Sequence, residues 1–418
     1  MSSSTAAGGS SFGGHERGSA GYRRMILALF AAGVATFSQL YSVQGVLPEL
    51  AADQHVSEST AALAVSMSTL GLTVAVIPWS ILADRRGRRA TMRVSLTAAV
   101  VLGLLVPFAP SFEALLALRF VEGLALGGIP AIALAYLTEE ISPLAAAVAS
   151  GTYISGTSLG GLFGRIVAGP LSEFVSWRAG TLVVSLLAAV AGVIFFLTAP
   201  APRGFVPVVK HSSRDIPLAR KLLKCLKDRR LVVLFAQGGL LMGGFVAVYN
   251  YLGFRLQAPP FLIPAAISSF LFLAYLSGTW SSAFSGRLAS TRGRLPVLLG
   301  SAALMLLGLV VTASSWLPAV VLGLLVFTAG FFAAHATASG WVPRLVTTGR
   351  AQASSLYNLA YYGGSSLFGW AVGLAFQSLG WGGVVAAVGS MVLLAMLLAW
   401  AVLRGEPSGR PSSRPATL

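Results

Sequence analysis

Apolar runs of about 20 residues, the length that crosses a bilayer core, recur from one end of this chain to the other, parted by short polar turns. A soluble fold has nowhere to put so much apolar surface. Of 418 residues, 56% are hydrophobic and only 10% charged, where a water-soluble domain carries about 25% charged. In lipid the backbone must satisfy its own hydrogen bonds, so unbroken apolar runs of this length become helices. The expected class is an all-α polytopic membrane protein. Its 47 glycines suit helices that approach closely. The one cysteine, Cys225, excludes an internal disulfide framework and a cysteine-based metal cluster.

Twelve spans are expected, at 24–47, 60–83, 91–109, 114–138, 144–171, 178–200, 231–255, 263–288, 295–312, 316–339, 349–377 and 380–403. They divide into two six-helix halves, 23–200 and 231–403. A disordered tail is expected at 1–22, a polar linker at 201–230 and a second tail at 404–418. An even number of spans puts both termini on one side. Basic residues say which: Arg17, Arg23 and Arg24, the cluster Arg85 to Arg93, the lysine-rich linker, and Arg287, Arg292, Arg294, Arg344, Arg350 and Arg404 then all face the cytoplasm. Of 29 basic residues, Arg119, Arg165, Arg178 and Arg255 alone fall within spans or near the outer face. The net charge of +16 therefore reflects membrane topology, and the expected partner is the lipid bilayer and no nucleic acid. Pro217 to Arg230, with Leu218, Leu222 and Leu226 among cations, reads as an amphipathic helix on the anionic inner leaflet.

Between the second and third spans lies Ser80-Ile81-Leu82-Ala83-Asp84-Arg85-Arg86-Gly87-Arg88-Arg89-Ala90-Thr91-Met92. Gly286 to Arg294 repeats it 206 positions later, with Ser290 in place of the acid. Tyr153, Gly160 and Trp177 recur as Tyr357, Gly364 and Trp381 at an offset of 204. Two similar six-span halves joined by a polar loop are the layout of a parallel-repeat transporter with its site between the halves.

Ser80 to Met92 resembles the loop 2–3 signature of the major facilitator superfamily, with Asp84, Arg85, Gly87, Arg88 and Arg89 conforming and Ser80 standing where the first glycine is expected. Arg119 to Gly123 resembles that superfamily's fourth-helix motif R-x-x-Q-G, with Glu122 for glutamine. Gly156 to Gly161 resembles its antiporter signature G-P-x-x-G-G, with Thr157 for proline. Nearly the whole chain is similar to the YnfM-type branch of bacterial inner-membrane transporters. The resemblance implies a twelve-helix, proton-driven exporter of the drug and sugar efflux group in the bacterial inner membrane. It carries no cofactor beyond the proton gradient and acts as a monomer on a small-molecule substrate.

Each candidate site carries a bland reading beside the functional one. Asp84 with Arg85, Gly87, Arg88 and Arg89 is a cytoplasmic gate, closing across the halves when the outside is open, or a cluster that only fixes topology. Arg119 and Glu122, three apart on one helix face, together with His335, are the proton-coupling candidates. The alternatives are a permanent ion pair and an ordinary interhelical hydrogen bond. Gly156, Gly160 and Gly164, with Gly161 beside them, make a small-residue stripe for close packing, with a smooth face toward the other half. Arg165 either binds an anionic or hydroxyl-rich ligand or snorkels outward. Gln39, Tyr41, Gln44, Tyr153, Tyr249, Asn250, Tyr357, Asn358, Tyr361 and Tyr362 offer stacking faces and amides for a substrate cavity. Glu49, Asp53 and Glu58 read as solvated acids and helix caps.

The chain has no G-x-x-x-x-G-K-S/T loop for ATP and no clustered nucleophile, base or metal set for an enzyme. The expectation is export of amphipathic drug-like compounds or sugars in exchange for protons, with symport or facilitated uptake as the nearest rival and an intramembrane enzyme a remote one.

Overall fold

The computed structural model of the chain describes residues 12–205, 218–346 and 349–404. Among them it is helical, its one extended pairing being the isolated bridge between His15 and Ile141. The first half comprises α1 (Ala20–Leu40), α2 (Leu47–Gln54), α3 (Glu58–Arg86), α4 (Arg88–Leu105), α5 (Phe112–Leu126), α6 (Gly128–Glu140), α7 (Pro143–Phe174) and α8 (Trp177–Thr198). Next come the short α9 (Leu218–Lys227), then α10 (Arg229–Gln257), α11 (Ala265–Ser268), α12 (Tyr275–Arg292), α13 (Arg294–Val311), α14 (Leu317–Trp341) and α15 (Arg350–Leu403). Gly380 bends α15 into two helices, close to the boundary expected from sequence.

Short polar side chains start these helices where the spans were expected to begin. Ser19, Ser57, Ser111 and Ser176 each accept a backbone N–H of the first turn, and Asp228 does so for α10. Gly87 ends α3 at φ 90°, ψ 150°, and Gly293 ends α12 at φ 91°, ψ 158°. The repeat seen in sequence is thus a repeat in backbone geometry, at a positive φ that glycine accepts without strain.

Nine helical runs among the described residues are long and apolar enough to cross a membrane. Two expected spans are not among the nine. Glycine, serine and threonine dilute α7, and the span expected at 263–288 is interrupted by a 3-10 stretch, Ser269–Ala274, before the serine-rich α12. The described part of the expected N-terminal tail is docked. The His15 N–H donates to the Glu140 carbonyl (2.7 Å), and the Ser142 N–H to that of His15 (3.2 Å). Of the expected linker helix, Pro217 lies outside the described residues. Along α9, Leu222 is half-buried and Cys225 buried, while Leu223 and Leu226 are exposed.

The apolar core divides with the halves. One cluster fills the second half around Phe245, Phe327 and Phe331 and takes in Ala62 and Leu162 from the first. The first half has a cluster toward the basic turn, around Met92, Ile132 and Tyr136, and another toward the opposite end, around Leu47, Leu72 and Trp177. Every side-chain hydrogen bond recorded between the halves lies in the portion remote from the basic turns. Gln44 Nε2 donates to Asn250 Oδ1 (2.6 Å), Gln257 Nε2 to Glu49 Oε1 (2.6 Å), the Ala266 N–H to Glu173 Oε2 (2.7 Å) and Ser366 Oγ to the Ser66 carbonyl (2.7 Å). No hydrogen bond or ion pair joins the halves at the basic end among the described residues. Among the described residues, then, the recorded hydrogen bonds between the halves are all at one end.

Candidate functional site

Two intramembrane arginines organise the site in opposite ways. Arg119 is fully buried in α5 and uses four of its five N–H donors among the described residues. Its Nη1 donates to Glu122 Oε2 (2.5 Å) and the Gln39 carbonyl (3.1 Å), Nη2 to the Leu40 carbonyl (2.7 Å) and Nε to the Ala64 carbonyl (3.1 Å). The cause is local. Helix α1 stops at Leu40, which leaves its last carbonyls without helical donors. Arg119 supplies them, and so ties α5 to α1 and α3. Glu122, 1% exposed, shares the charge, because desolvating either ion alone would cost several kcal/mol. Glu122 Oε1 and the Gln39 amide converge where a Cβ on Gly103 would sit, and neither amide atom of Gln39 has a hydrogen-bond partner among the described residues. This cluster lies inside the first half, not on the seam.

Arg165 in α7 is 1% exposed and stands on the seam. Its Nε donates to Gln44 Oε1 (2.6 Å) and its Nη1 to the Gly161 carbonyl (2.5 Å). Gly161 makes that fold-back fit, since a Cβ there would lie 3.0 Å from Nη1. The guanidinium is caged by rings from both halves: Tyr41 at 4.0 Å, Tyr275 at 4.9 Å and Phe272 at 5.1 Å. Each such contact contributes about 2 kcal/mol when desolvated. Snorkelling to the outer surface is excluded by this burial. Gln44 then passes the connection across the seam to Asn250, whose Nδ2 donates to the Gly369 carbonyl (3.0 Å). Gln44 and Asn250 are 206 residues apart, the offset of the two basic turns, so equivalent positions of the two halves meet on the pseudo-symmetry axis.

From Tyr275 an aromatic wall continues through the second half. Tyr275 packs on Phe332 (5.8 Å), Phe332 on Phe331 (5.3 Å), Phe331 on His335 (6.0 Å), His335 on Tyr361 (4.6 Å) and Tyr361 on Tyr362 (5.1 Å). His335 Nδ1 is 2.9 Å from the Tyr357 hydroxyl, and Tyr249 shares a 2.7 Å hydroxyl contact with Thr328. Tyr153 is buried with its hydroxyl unpartnered, whereas Asn358 is exposed and has no part in this network among the described residues.

At the basic end Arg88 is the hub. It donates from Nη1 to Asp84 Oδ1 (2.5 Å) and from Nη2 and Nε to Glu139 Oε1 (2.8 and 3.0 Å). Asp84 is thus engaged within its own half, while Arg85 and Arg86 are exposed and Arg89 is half-buried. Glu140 accepts the backbone N–H groups of Arg203 and Gly204, both at 2.7 Å.

Two sequence readings are corrected by these contacts. The glycine stripe does not face the other half. Cβ atoms on Gly156, Gly160 and Gly164 would meet the backbones of Phe30, Val34 and Ser38 within 2.5 Å or less, so the stripe seats α7 against α1. Contact with the second half comes further along, at Gly169 against Ser269. Glu49 is no solvated acid, because it takes the Gln257 amide across the seam.

A two-halved helical body with a basic turn repeated in geometry at its expected place has a family counterpart. The Major Facilitator Superfamily model matches residues 27–369. This chain belongs to the major facilitator superfamily. It is 40% identical over 382 residues to the uncharacterized MFS-type transporter YybF of Bacillus subtilis, covering 91% of this chain and 94% of that one. It is 39% identical over 383 residues to the inner membrane transport protein YnfM of Escherichia coli, covering 92% and 91%. Among solved structures, a bacterial homologue of the lysosomal transporter Spinster superposes with a TM-score of 0.75 at 15% identity, covering 95% of this chain and all of that one. The nucleoside transporter NupG gives 0.72 at 14% identity, with 90% and 99% covered. As a superfamily member, the chain is a transporter whose two halves meet along the Arg165 seam.

Sequence reasoning passed over Glu139, Glu140, Phe272 and Tyr275. The two acids stand just past an expected span end and read as loop residues. Phe272 and Tyr275 sit in and beside the 3-10 stretch, where helical spacing gives no guide to facing.

Proposed function

We propose that the chain is a secondary transporter of the bacterial inner membrane that exports small amphipathic molecules in exchange for protons. Its halves rock between openings at either end of the Arg165 seam. In this reading the chain crosses the membrane twelve times with its basic end in the cytoplasm, and the conformation described opens inward. The observation that carries the proposal is the one-ended pinning of the halves beneath an aromatic, tyrosine-lined seam. A ring-rich wall with scattered hydroxyls and amides suits an amphipathic cargo. The relatedness to a protein named as an inner membrane transport protein agrees with that location.

Substrate enters from the basic end. The Gln44–Asn250, Glu49–Gln257 and Glu173–Ala266 contacts then part, and the basic end closes. Glu122 is the proton carrier in this scheme. Its bond to Arg119, which also holds the carbonyls at the α1 break, makes its protonation sensitive to how α1 and α3 sit, and the turn after α1 carries Gln44, and α3 carries Ser66, to the seam. The test uses purified protein in liposomes loaded with a pH-sensitive dye and challenged with dyes, antibiotics and sugars. Proton movement opposite to cargo in the wild type, lost in Glu122→Gln, is the expected result. Co-directional movement would replace export by symport. Full coupling in Glu122→Gln would leave that residue a structural partner of Arg119.

A further inference from the structure

The contrast between the two buried arginines goes further than the transport reading. Arg119 is what a structural arginine looks like here, with a carboxylate and three carbonyls taking four of its five donors. Arg165 is as deeply buried, yet among the described residues no carboxylate lies within ion-pair reach of it. Two neutral oxygens take its Nε and Nη1, and among the described residues no hydrogen bond is recorded for Nη2. The rings of Tyr41, Phe272 and Tyr275 compensate a cation only in part, and no carboxylate completes the compensation within the cage. A mere tie between Gln44 and Gly161 would not require a guanidinium, because an amide side chain offers two donors. What a caged guanidinium supplies beyond an amide is a planar donor face and a permanent charge suited to a carboxylate.

We propose that Arg165 is the recognition charge for an organic anion, a carboxylate carried on an aromatic or apolar body, bound on the seam between the halves. This rests on the transport reading above and names the substrate class of that site. The body of the anion lies along the ring wall from Tyr275 and Phe332 to His335 and Tyr361. Its carboxylate competes with Gln44 Oε1 for the guanidinium. Gln44 is the residue that bonds Asn250 across the seam, so loading the site loosens a link that pins the outer end shut. Both walls of the cage move with the halves, Tyr41 with the first, and Phe272 and Tyr275 with the second. Phe272 lies in the 3-10 stretch, a local geometry that often marks a hinge.

The experiment measures binding to the purified full-length protein by calorimetry and thermal shift. Three probes of one shape are used: 2-naphthylacetate, its neutral primary amide and the cation 2-naphthylethylammonium. The wild type is expected to bind the carboxylate at least tenfold more tightly than the amide, and the cation most weakly. Arg165→Gln should bring carboxylate and amide to equal affinity, while Arg165→Lys should keep part of the preference. Cooperative thermal unfolding of Arg165→Gln certifies that the variant is folded.

A second measurement does not depend on affinity. Spin labels at Ala52→Cys and Ala258→Cys, in a Cys225→Ser background, report the outer-end distance, which 2-naphthylacetate should lengthen in the wild type but not in Arg165→Gln. The proposal is overturned if the wild type binds the amide or the cation as tightly as the carboxylate, binds no carboxylate at all, or keeps its preference without Arg165. Proton-coupled movement of neutral or cationic cargo alone would sink the anion and leave the transporter standing. Anion binding without any transport would do the reverse.

Discussion

At the scale of single residues, the arrangement divides buried charge into a closed account and an open one. Glu122 and Arg119 stabilise each other only as a pair, since removing either strands the other away from water. Arg119→Ala is expected to cost about 3–5 kcal/mol, because it orphans a carboxylate and three carbonyls together. Arg119→Lys should recover little of this, since one ammonium cannot reach acceptors on α1, α3 and α5 at once. Thermal unfolding of both singles and the double Arg119→Ala/Glu122→Ala measures the coupling, expected at roughly 1–3 kcal/mol. Strictly additive losses would show that the ion pair contributes nothing. The three-residue spacing of the pair was legible in the sequence, as was its depth in an apolar run. Its carbonyl partners were not, because they exist only where α1 breaks against two other helices.

At the scale of elements, what the stripe on α7 touches follows from size rather than pattern. Spacing revealed that Gly156, Gly160 and Gly164 share a face, but any neighbour allowing backbone contact would have suited them. In the fold that neighbour is α1. Gly164→Ala would place a Cβ 2.3 Å from the Ser38 carbonyl, an overpacking expected to cost about 1–3 kcal/mol. Gly151→Ala on the same helix meets open space and serves as the neutral comparison. Equal melting temperatures for the two variants would refute the α1–α7 contact. The short α9 gives a second element-scale test. Its Cys225 is buried, and burial, with Asp228 adding to it, pushes the thiol above its ordinary value. A raised pKa means less thiolate at any given pH. Maleimide labelling at pH 7 should therefore lag well behind that of the denatured protein and speed up toward pH 10. Labelling at the denatured rate would mean that α9 does not rest on the bundle. Four-residue leucine spacing led the sequence reading to an apolar face through Leu222 and Leu226. Instead Leu222 and Cys225 turn inward while Leu226 is exposed, because the helix has a protein neighbour that spacing cannot reveal.

At the scale of the whole molecule, the two-half repeat was readable from motif offsets, but the one-ended pinning was not, because it depends on contacts between residues some 200 positions apart. Charge bears on why the recorded hydrogen bonds between the halves avoid the basic end among the described residues. Arg85 and Arg86 are exposed on the first half, and Arg287, Arg292 and Arg350 on the second, so closing that end brings like charges together. On the first half, Asp84 and Glu139 are held by Arg88 on their own side. Closure must therefore work against repulsion that salt screens, since the Debye length shrinks from about 10 Å at 0.1 M to about 3 Å at 1 M. Cysteine pairs in a Cys225→Ser background can follow this. Gly151→Cys with Gly340→Cys reports the basic end, where both glycines face open space, and Pro48→Cys with Gly253→Cys reports the pinned end. In low salt a short crosslinker should join the second pair and spare the first. Raising the salt to 1 M should increase crosslinking at the basic end several-fold, with a matching decrease at the other, because the proposed rocking opens one end as it closes the other. Asp84→Asn should blunt this response, because it removes a carboxylate that becomes available to the second half when Arg88 lets go. A basic-end crosslink that is insensitive to salt would mean that apolar packing, and not arginine repulsion, sets which way the molecule opens.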